Sequence, residues 1–367
     1  MFPGSSRLVL VEGVRFLDER TAVFDAMVEG WTRQQLSRRL VGSTIRPRVR
    51  LIRRFQQFTG EYPWEWTPQD VEDFSVSLNS NGRRVGAGSL RGYQLGLRQF
   101  CDYLTDRRYD WSEECERRFG VVPAQICHEW NTIAHVNEFE GRPGRRPMSY
   151  EEVQRLFDYC DDRVDQIVKA RRKGALAALR DSQMIKTTYA FGLRRQEVAR
   201  LDLVDLHVNP QVREWGRYGS VHVRYGKAVK GGTPRRRTVL AVPEFDWAID
   251  GMRQWVEHGR LRFVPRAHPA LWVTERNSRV AVRYLDSRFA ELRAGAGLAA
   301  DLTLHSLRHS YVTHLIEFGY AERFVQEQVG HSSASSTAIY TSVSSDFKNR
   351  ILADALARVY RPQEQPR

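Results

Sequence analysis

Lysine is scarce in this chain: six lysines stand against fifty-one arginines in 367 residues. Cysteine is scarce too. The four present, Cys101, Cys115, Cys127 and Cys160, form no CxxC pair. That excludes a disulfide framework and matches no standard zinc spacing, although Cys115, Cys127, His128 and His135 lie near one another in sequence. Buried thiols are the expectation. No apolar run approaches the ~20 residues of a membrane span. The stretch RLVLVEGVRF (7–16) is short and broken by Glu12, so it does not read as a signal peptide, and a cytoplasmic location is expected. There is no Walker A pattern, and no carboxylate cluster suited to Mg²⁺.

What is abundant is positive charge. The net charge is +13, from 57 basic and 44 acidic residues, and a basic chain points to a polyanion such as nucleic acid. Arginine's planar fork grips phosphate with two hydrogen bonds. A GC-rich coding bias would also enrich arginine. Residues 1–140 hold 19 bases and 19 acids, so residues 141–367 carry the whole excess. Within the first part the signs are sorted: eight arginines and no acid in 31–60, five acids and no base in 61–80, four arginines and no acid in 81–100. Two basic helices on a polyanion with an acidic one facing away would give that order; solvated faces would give it too.

At roughly 150 residues per domain the length suggests two domains. Residues 1–24 have no clear pattern and are expected as a flexible arm. Apolar residues at helical spacing mark 23–40, 43–60, 67–78 and 89–106. Ser43 or Thr44 is the expected cap of the second, with Pro47 in its first turn and Gly60 at its end. Thr67 and Pro68 open the third. A small helical domain over 25–139 follows, then a Gly/Pro/Arg-rich linker at 140–149. Ser149 and Glu152 make a capping box for a helix from Tyr150. Residues 163–191 read as mostly helical, and 218–243 as a β-hairpin with a long basic turn. Helices return at 245–258 and from 285 onward.

Three distant segments carry candidate chemistry. In YAFGLRRQEVARL (189–201), Gly192 breaks a helix and Arg194 stands at the bend. In LTLHSLRHSYVTHL (302–315), His305 and Arg308 are three apart and share a helix face. In GHSSASSTAIY (330–340), Gly330 ends a short helix, and His331 precedes Tyr340 by nine residues. Taken singly, each is weak.

Together, GLRRQE (192–197), YGK (225–227), HSLRHSYVTHL (305–315) and GHSSASSTAIY (330–340), in that order, resemble the tyrosine recombinase, or phage integrase, family. The resemblance covers about 150–345; residues 25–139 match its core-binding domain only in size, helicity and charge. It implies a mainly α protein. A small SAM-like helical core-binding domain would precede an α+β catalytic domain (150–345) of the DNA breaking-rejoining fold, with a small β-sheet. The tail, 346–367, would be a helix docking on a neighbouring subunit or on its own domain.

The implied chemistry is strand transfer through a 3′-phosphotyrosine. Arg194 and Arg308 would clamp the scissile phosphate, and Tyr340 would attack it. Lys227, or Lys230 given the length of the turn, would protonate the leaving 5′ oxygen. His305 would assist proton transfer, and His331 would bond the phosphate. Glu197 would orient these side chains from behind, unless it is a plain helix ion pair. No metal, cofactor or ATP is implied. Arg48, Arg53, Arg54, Arg91 and Arg98 are the candidate phosphate contacts of the first domain. Expected partners are double-stranded DNA, further copies of the chain in a tetrameric synapse, and an accessory protein setting direction; no membrane is involved. The expected setting is a nucleoid-associated integrase of a bacterial mobile element or phage. A type IB topoisomerase and a non-catalytic DNA-binding protein are the competing readings. The small residues before Tyr340 would let its segment shift.

Overall fold

The computed structural model describes residues 4–6, 18–79, 85–133, 146–226, 234–263 and 268–330. The chain divides into two compact units, the first within the N-terminal 137 residues and the second containing most of the remainder.

The first unit is helical: α1 (Glu19–Ser37), α2 (Gly42–Thr59), α3 (Pro68–Ser77), α4 (Ala87–Thr105) and α5 (Trp111–Phe119). Several starts and stops have a local cause. Asp18 accepts the Thr21 amide at the head of α1. Thr67 and Asp70 form the reciprocal cap of α3, with Pro68 in its first turn. Gly60 closes α2 in the left-handed conformation. Two details of α2 differ from the sequence reading. Its N-cap is Val41, with no side-chain cap, so neither Ser43 nor Thr44 has that role. Pro47 then falls beyond the first turn, inside the helix, where its missing N–H costs a backbone bond. Ile52, Phe55, Phe74, Leu97, Phe100 and Trp111 form the core, with edge-on aromatic pairs such as Phe55–Phe74 at 5.2 Å. Of the segment 1–24, expected as an arm, residues 4–6 and 18–24 are described and contribute to this unit. Ser5 and Ser6 are buried, and the Gly4 carbonyl accepts the Tyr103 hydroxyl at 2.5 Å.

The second unit begins with α6 (Tyr150–Lys169), capped by Ser149 and Glu152 as expected. It continues with α7 (Ala175–Ala190), α8 (Arg195–Ala199), β1 (Leu206–His207), β2 (Ser220–Val223), β3 (Arg237–Leu240), α9 (Trp247–Gln254), α10 (Val282–Gly295), α11 (Leu304–Glu317) and α12 (Glu322–Val329). Helix α9 runs on through a π-helical turn, Trp255–Gly259, into Arg260–Phe263. The expected hairpin is there: β2 pairs antiparallel with β3, Val221 opposite Val239, and β1 adds a short third strand. Tyr189, Phe191, Leu193, Val221, Val239, Leu307 and Tyr311 are buried in one core that joins α7, the sheet and α11. The fold is mainly α with a small sheet.

Candidate active site

The site forms where α7 ends. Gly192 stands at φ 54, and a Cβ there would overlap the Tyr311 ring. Only glycine satisfies both demands. The chain then turns through Leu193, and Arg194 caps α8 with extended backbone. The break at Gly192 and the position of Arg194 at the bend are as the sequence indicates.

Glu197, one turn into α8, is the hub. Its carboxylate accepts the Arg194 amide at 2.8 Å and Arg194 Nη1 at 2.9 Å. It also accepts Arg237 Nη1 at 2.9 Å and Nη2 at 2.8 Å, from the start of β3. Burial alone would raise its pKa. The hydrogen bonds and charge of Arg237, the Arg194 amide and the nearby Arg308 outweigh burial and hold it at about 2. Glu197 is therefore more than an ion pair within one helix: it joins two segments 40 residues apart.

Arg308 lies on α11 and is 3% exposed. Nη1 donates to the Gly192 carbonyl and Nη2 to the Val329 carbonyl, each at 2.6 Å. Burial first, then the Arg194 charge, pulls its pKa well down, with Glu197 opposing. A guanidinium nonetheless keeps its proton, so the charge remains, and among the described residues it has no carboxylate in direct contact. His305 is on the same helix, half-buried, its ring edge-on to His309 at 4.7 Å.

Helix α12 ends at Gly330, in the left-handed region at φ 63, as the sequence indicates. Arg237 Nε donates to the Gln328 carbonyl at 2.7 Å. Gln328 Oε1 accepts the Leu240 amide at 2.9 Å, so α12 is stitched to β3 at two points. His331 and Tyr340 follow and lie outside the described residues. So do Lys227 and Lys230, although Gly226, just before Lys227, bonds the Arg235 carbonyl across the hairpin. The structure thus brings together Arg194, Glu197 and Arg308 of the expected set. It adds Arg237, which the sequence reading missed. Among fifty-one arginines, within the run Arg235–Arg237, nothing local distinguishes it. Its position opposite Val223 in the hairpin register is the signal that singles it out.

The first-unit arginines are variously engaged. Arg48 bonds Gln35 at 2.9 Å, Arg53 bonds Asp25 at 2.7 Å, and Arg98 bonds the Cys127 carbonyl at 3.2 Å. Arg54 lies 5.6 Å over the Phe74 ring, and Arg91 is half-buried on α4. The four cysteines are buried free thiols, and burial pushes Cys115, Cys127 and Cys160 up to about 12. Thiols held in that form are poor zinc ligands. Among the described residues no helix is long and apolar enough to cross a membrane.

Comparison with known proteins gives this geometry a context. A model of the phage integrase family matches residues 148–346. Tyrosine recombinase XerC of Shewanella oneidensis is 31% identical over 308 residues, spanning 79% of this chain and 91% of that protein. Tyrosine recombinase XerC of Vibrio vulnificus is 32% identical over 302 residues, spanning 82% and 78%. Among solved structures, XerH site-specific recombinase bound to palindromic difH substrate has a TM-score of 0.61 at 17% identity, covering 94% of this chain and 85% of that one. A lambda integrase tetramer bound to a Holliday junction has a TM-score of 0.58 at 11% identity, covering 95% and 80%. These two share the fold. The order of motifs, the arginines gathered around Glu197 and the match over more than half its length agree: the chain belongs to the phage integrase family and is a tyrosine site-specific recombinase.

Proposed function

We propose that the chain cuts and rejoins duplex DNA at a specific site, with Arg194 and Arg308 holding the scissile phosphate. One observation carries this assignment. Arg194, Arg237 and Arg308 lie in electrostatic range of Glu197, so among the described residues three cations meet one anion, a net of +2 at a partly buried site. Unbalanced buried charge is costly, and a phosphodiester with developing negative charge relieves the cost best in the transition state.

In this reading the Tyr340 oxygen bonds phosphorus in line while the bond to the 5′ oxygen breaks. His305 assists removal of the tyrosine proton, and Lys227 donates a proton to the leaving oxygen. His331 bonds a phosphate oxygen. Reversal by a new 5′-hydroxyl restores the backbone, so the bond energy is conserved in the phosphotyrosine. Lys230 is the alternative acid; a substrate with a 5′-bridging sulfur, which leaves without a proton, rescues the variant of whichever lysine is the acid.

Binding would rest on phosphate contacts from both units, with residues 25–139 as the core-binding domain, 140–149 as the linker and 150–345 as the catalytic domain. Arg48, Arg53, Arg54, Arg91 and Arg98 are the proposed contacts of the first unit, and strong salt dependence follows. The lambda integrase tetramer on a Holliday junction supports assembly of four copies on DNA; the apolar stripe of 347–360 would let the tail, 346–367, reach a neighbouring subunit. The protein would act in the cytoplasm, at the nucleoid, as the integrase of a mobile element or phage. An accessory protein would set its direction; purified protein recombining both pairs of sites equally would indicate the need for one.

The test is covalent capture. A site selected from sheared source DNA is rebuilt as a suicide duplex, nicked beside the scissile phosphate. Wild type is expected to form a denaturant-resistant adduct, and Tyr340→Phe none. An equal adduct from the Phe variant would remove Tyr340 as nucleophile. Relaxation of supercoils without sequence preference would favour a topoisomerase.

A further inference from the structure

We infer that Arg237 is a positioning residue for strand cleavage: it fixes the carboxylate that orients Arg194, and also the helix end that leads to His331. The inference rests on the assignment of Arg194 and His331 to the phosphate. No motif of the sequence points to Arg237.

The geometry is that of a strut with two feet. One foot is the two-pronged contact to Glu197, Nη1 to Oε1 at 2.9 Å and Nη2 to Oε2 at 2.8 Å. The same two oxygens hold Arg194, so a displacement of Glu197 is a displacement of Arg194. The other foot is the Nε bond to the Gln328 carbonyl. The next carbonyl, Val329, accepts Arg308. The last two carbonyls of α12 are thus held by Arg237 and Arg308, at the helix end that favours cations. The chain leaves from there through Gly330 to His331.

Gly330 shows how closely the parts fit. A Cβ at this position would stand 2.9 Å from Arg237 Cδ. The side chain of Arg237, 10% exposed, passes through the space that a larger residue would fill. Lysine could not substitute: a single ammonium has no planar fork and cannot meet a carboxylate edge-on while bonding a carbonyl behind it. A purely structural ion pair would need only the Glu197 contact. Bonding also to the helix end beside His331 is what a positioning role requires.

The test uses the full chain and the suicide duplex described above, at saturating DNA and at a temperature where circular dichroism shows each variant folded. Arg237→Gln is expected to form adduct about 100-fold more slowly than wild type, the scale of a misplaced reacting group, with DNA affinity within about threefold. Arg237→Lys keeps the charge and is expected to lose about tenfold. Ethylguanidinium added to Arg237→Ala is expected to recover part of the rate. A merely structural residue would lower the melting temperature but leave the rate of the folded protein at saturating DNA unchanged. Cleavage by folded Arg237→Lys and Arg237→Gln at wild-type rate overturns the inference while leaving the proposed function intact. If Arg237→Gln does not fold, the lysine variant alone decides. A wild type without adduct, or a Tyr340→Phe variant with one, overturns the underlying assignment and the inference with it.

Discussion

Two sets of arginines, one on the surface of the first unit and one at the candidate site of the second, are used in opposite ways. In the first, Arg53 pairs with Asp25, both about half exposed, and Arg33 pairs with Glu29 in the same manner. Each of these two guanidiniums has its own partner, and water screens the pair. In the second, Arg194 and Arg237 share Glu197, whose side chain is 1% exposed, and Arg308 is close by and buried. Exposed pairs contribute little to stability and can exchange a carboxylate for a phosphate at small cost. Cations gathered around one buried carboxylate are fixed in place and, among the described residues, short of negative charge. The first arrangement suits a surface that grips and releases; the second suits a site where charge develops on one atom.

The sharpest way to break that contrast is Arg308→Ala. Loss of this buried donor is expected to slow adduct formation by about 10³-fold, measured in a single turnover on the suicide duplex. A loss below about tenfold would place Arg308 outside the chemistry.

Acid tests the shared carboxylate. Glu197 is held at about 2, below its ordinary 4.5. A carboxyl depressed in the fold stabilises it above the unfolded value, and that stability is lost as pH falls through the folded value. Urea unfolding between pH 4.5 and 2 should therefore show a loss on the order of 3 kcal/mol that Glu197→Gln lacks. Equal slopes in the two proteins would show that the carboxylate is not specially held.

Gly330→Ala probes the interlock of α12 with Arg237. The left-handed backbone and the contact with Arg237 together are expected to cost about 1–3 kcal/mol in urea unfolding. The smallest effect belongs to the first unit. Arg53→Ala should change stability by less than about 1 kcal/mol. It should also reduce the slope of log affinity against log salt by about 1, equally for all sequences. A large stability loss there would erase the contrast between the units.

Much of this was legible in the chain because its causes are local. The cap and proline at Thr67 and Pro68, the Ser149 capping box, the turns at Gly60, Gly192 and Gly330, and the sharing of α11 by His305 and Arg308 each depend on neighbours within a few residues. Tyr340 and His331, which lie outside the described residues, are proposed from the order of motifs alone. What escaped depends on distance. The Arg237–Glu197 contact spans 40 positions, and that of Arg237 with Gln328 spans 91. The start of α2 escaped for another reason. Ser43 and Thr44 are good caps, but the cap falls at Val41, two residues before Ser43, and packing of Ile45, Ile52 and Phe55 outweighs both the absent side-chain cap and Pro47.

The single carboxylate at the centre of three guanidiniums also bears on how such a site can change over generations. Replacing Glu197 alone strands the arginines, and replacing Arg237 alone leaves the acid held from one side. Each single step passes through an unbalanced intermediate, while a paired step does not. The residues of this hub should therefore substitute together or not at all, and variants selected for new target sites should collect their changes elsewhere, among the independently paired arginines of the first unit.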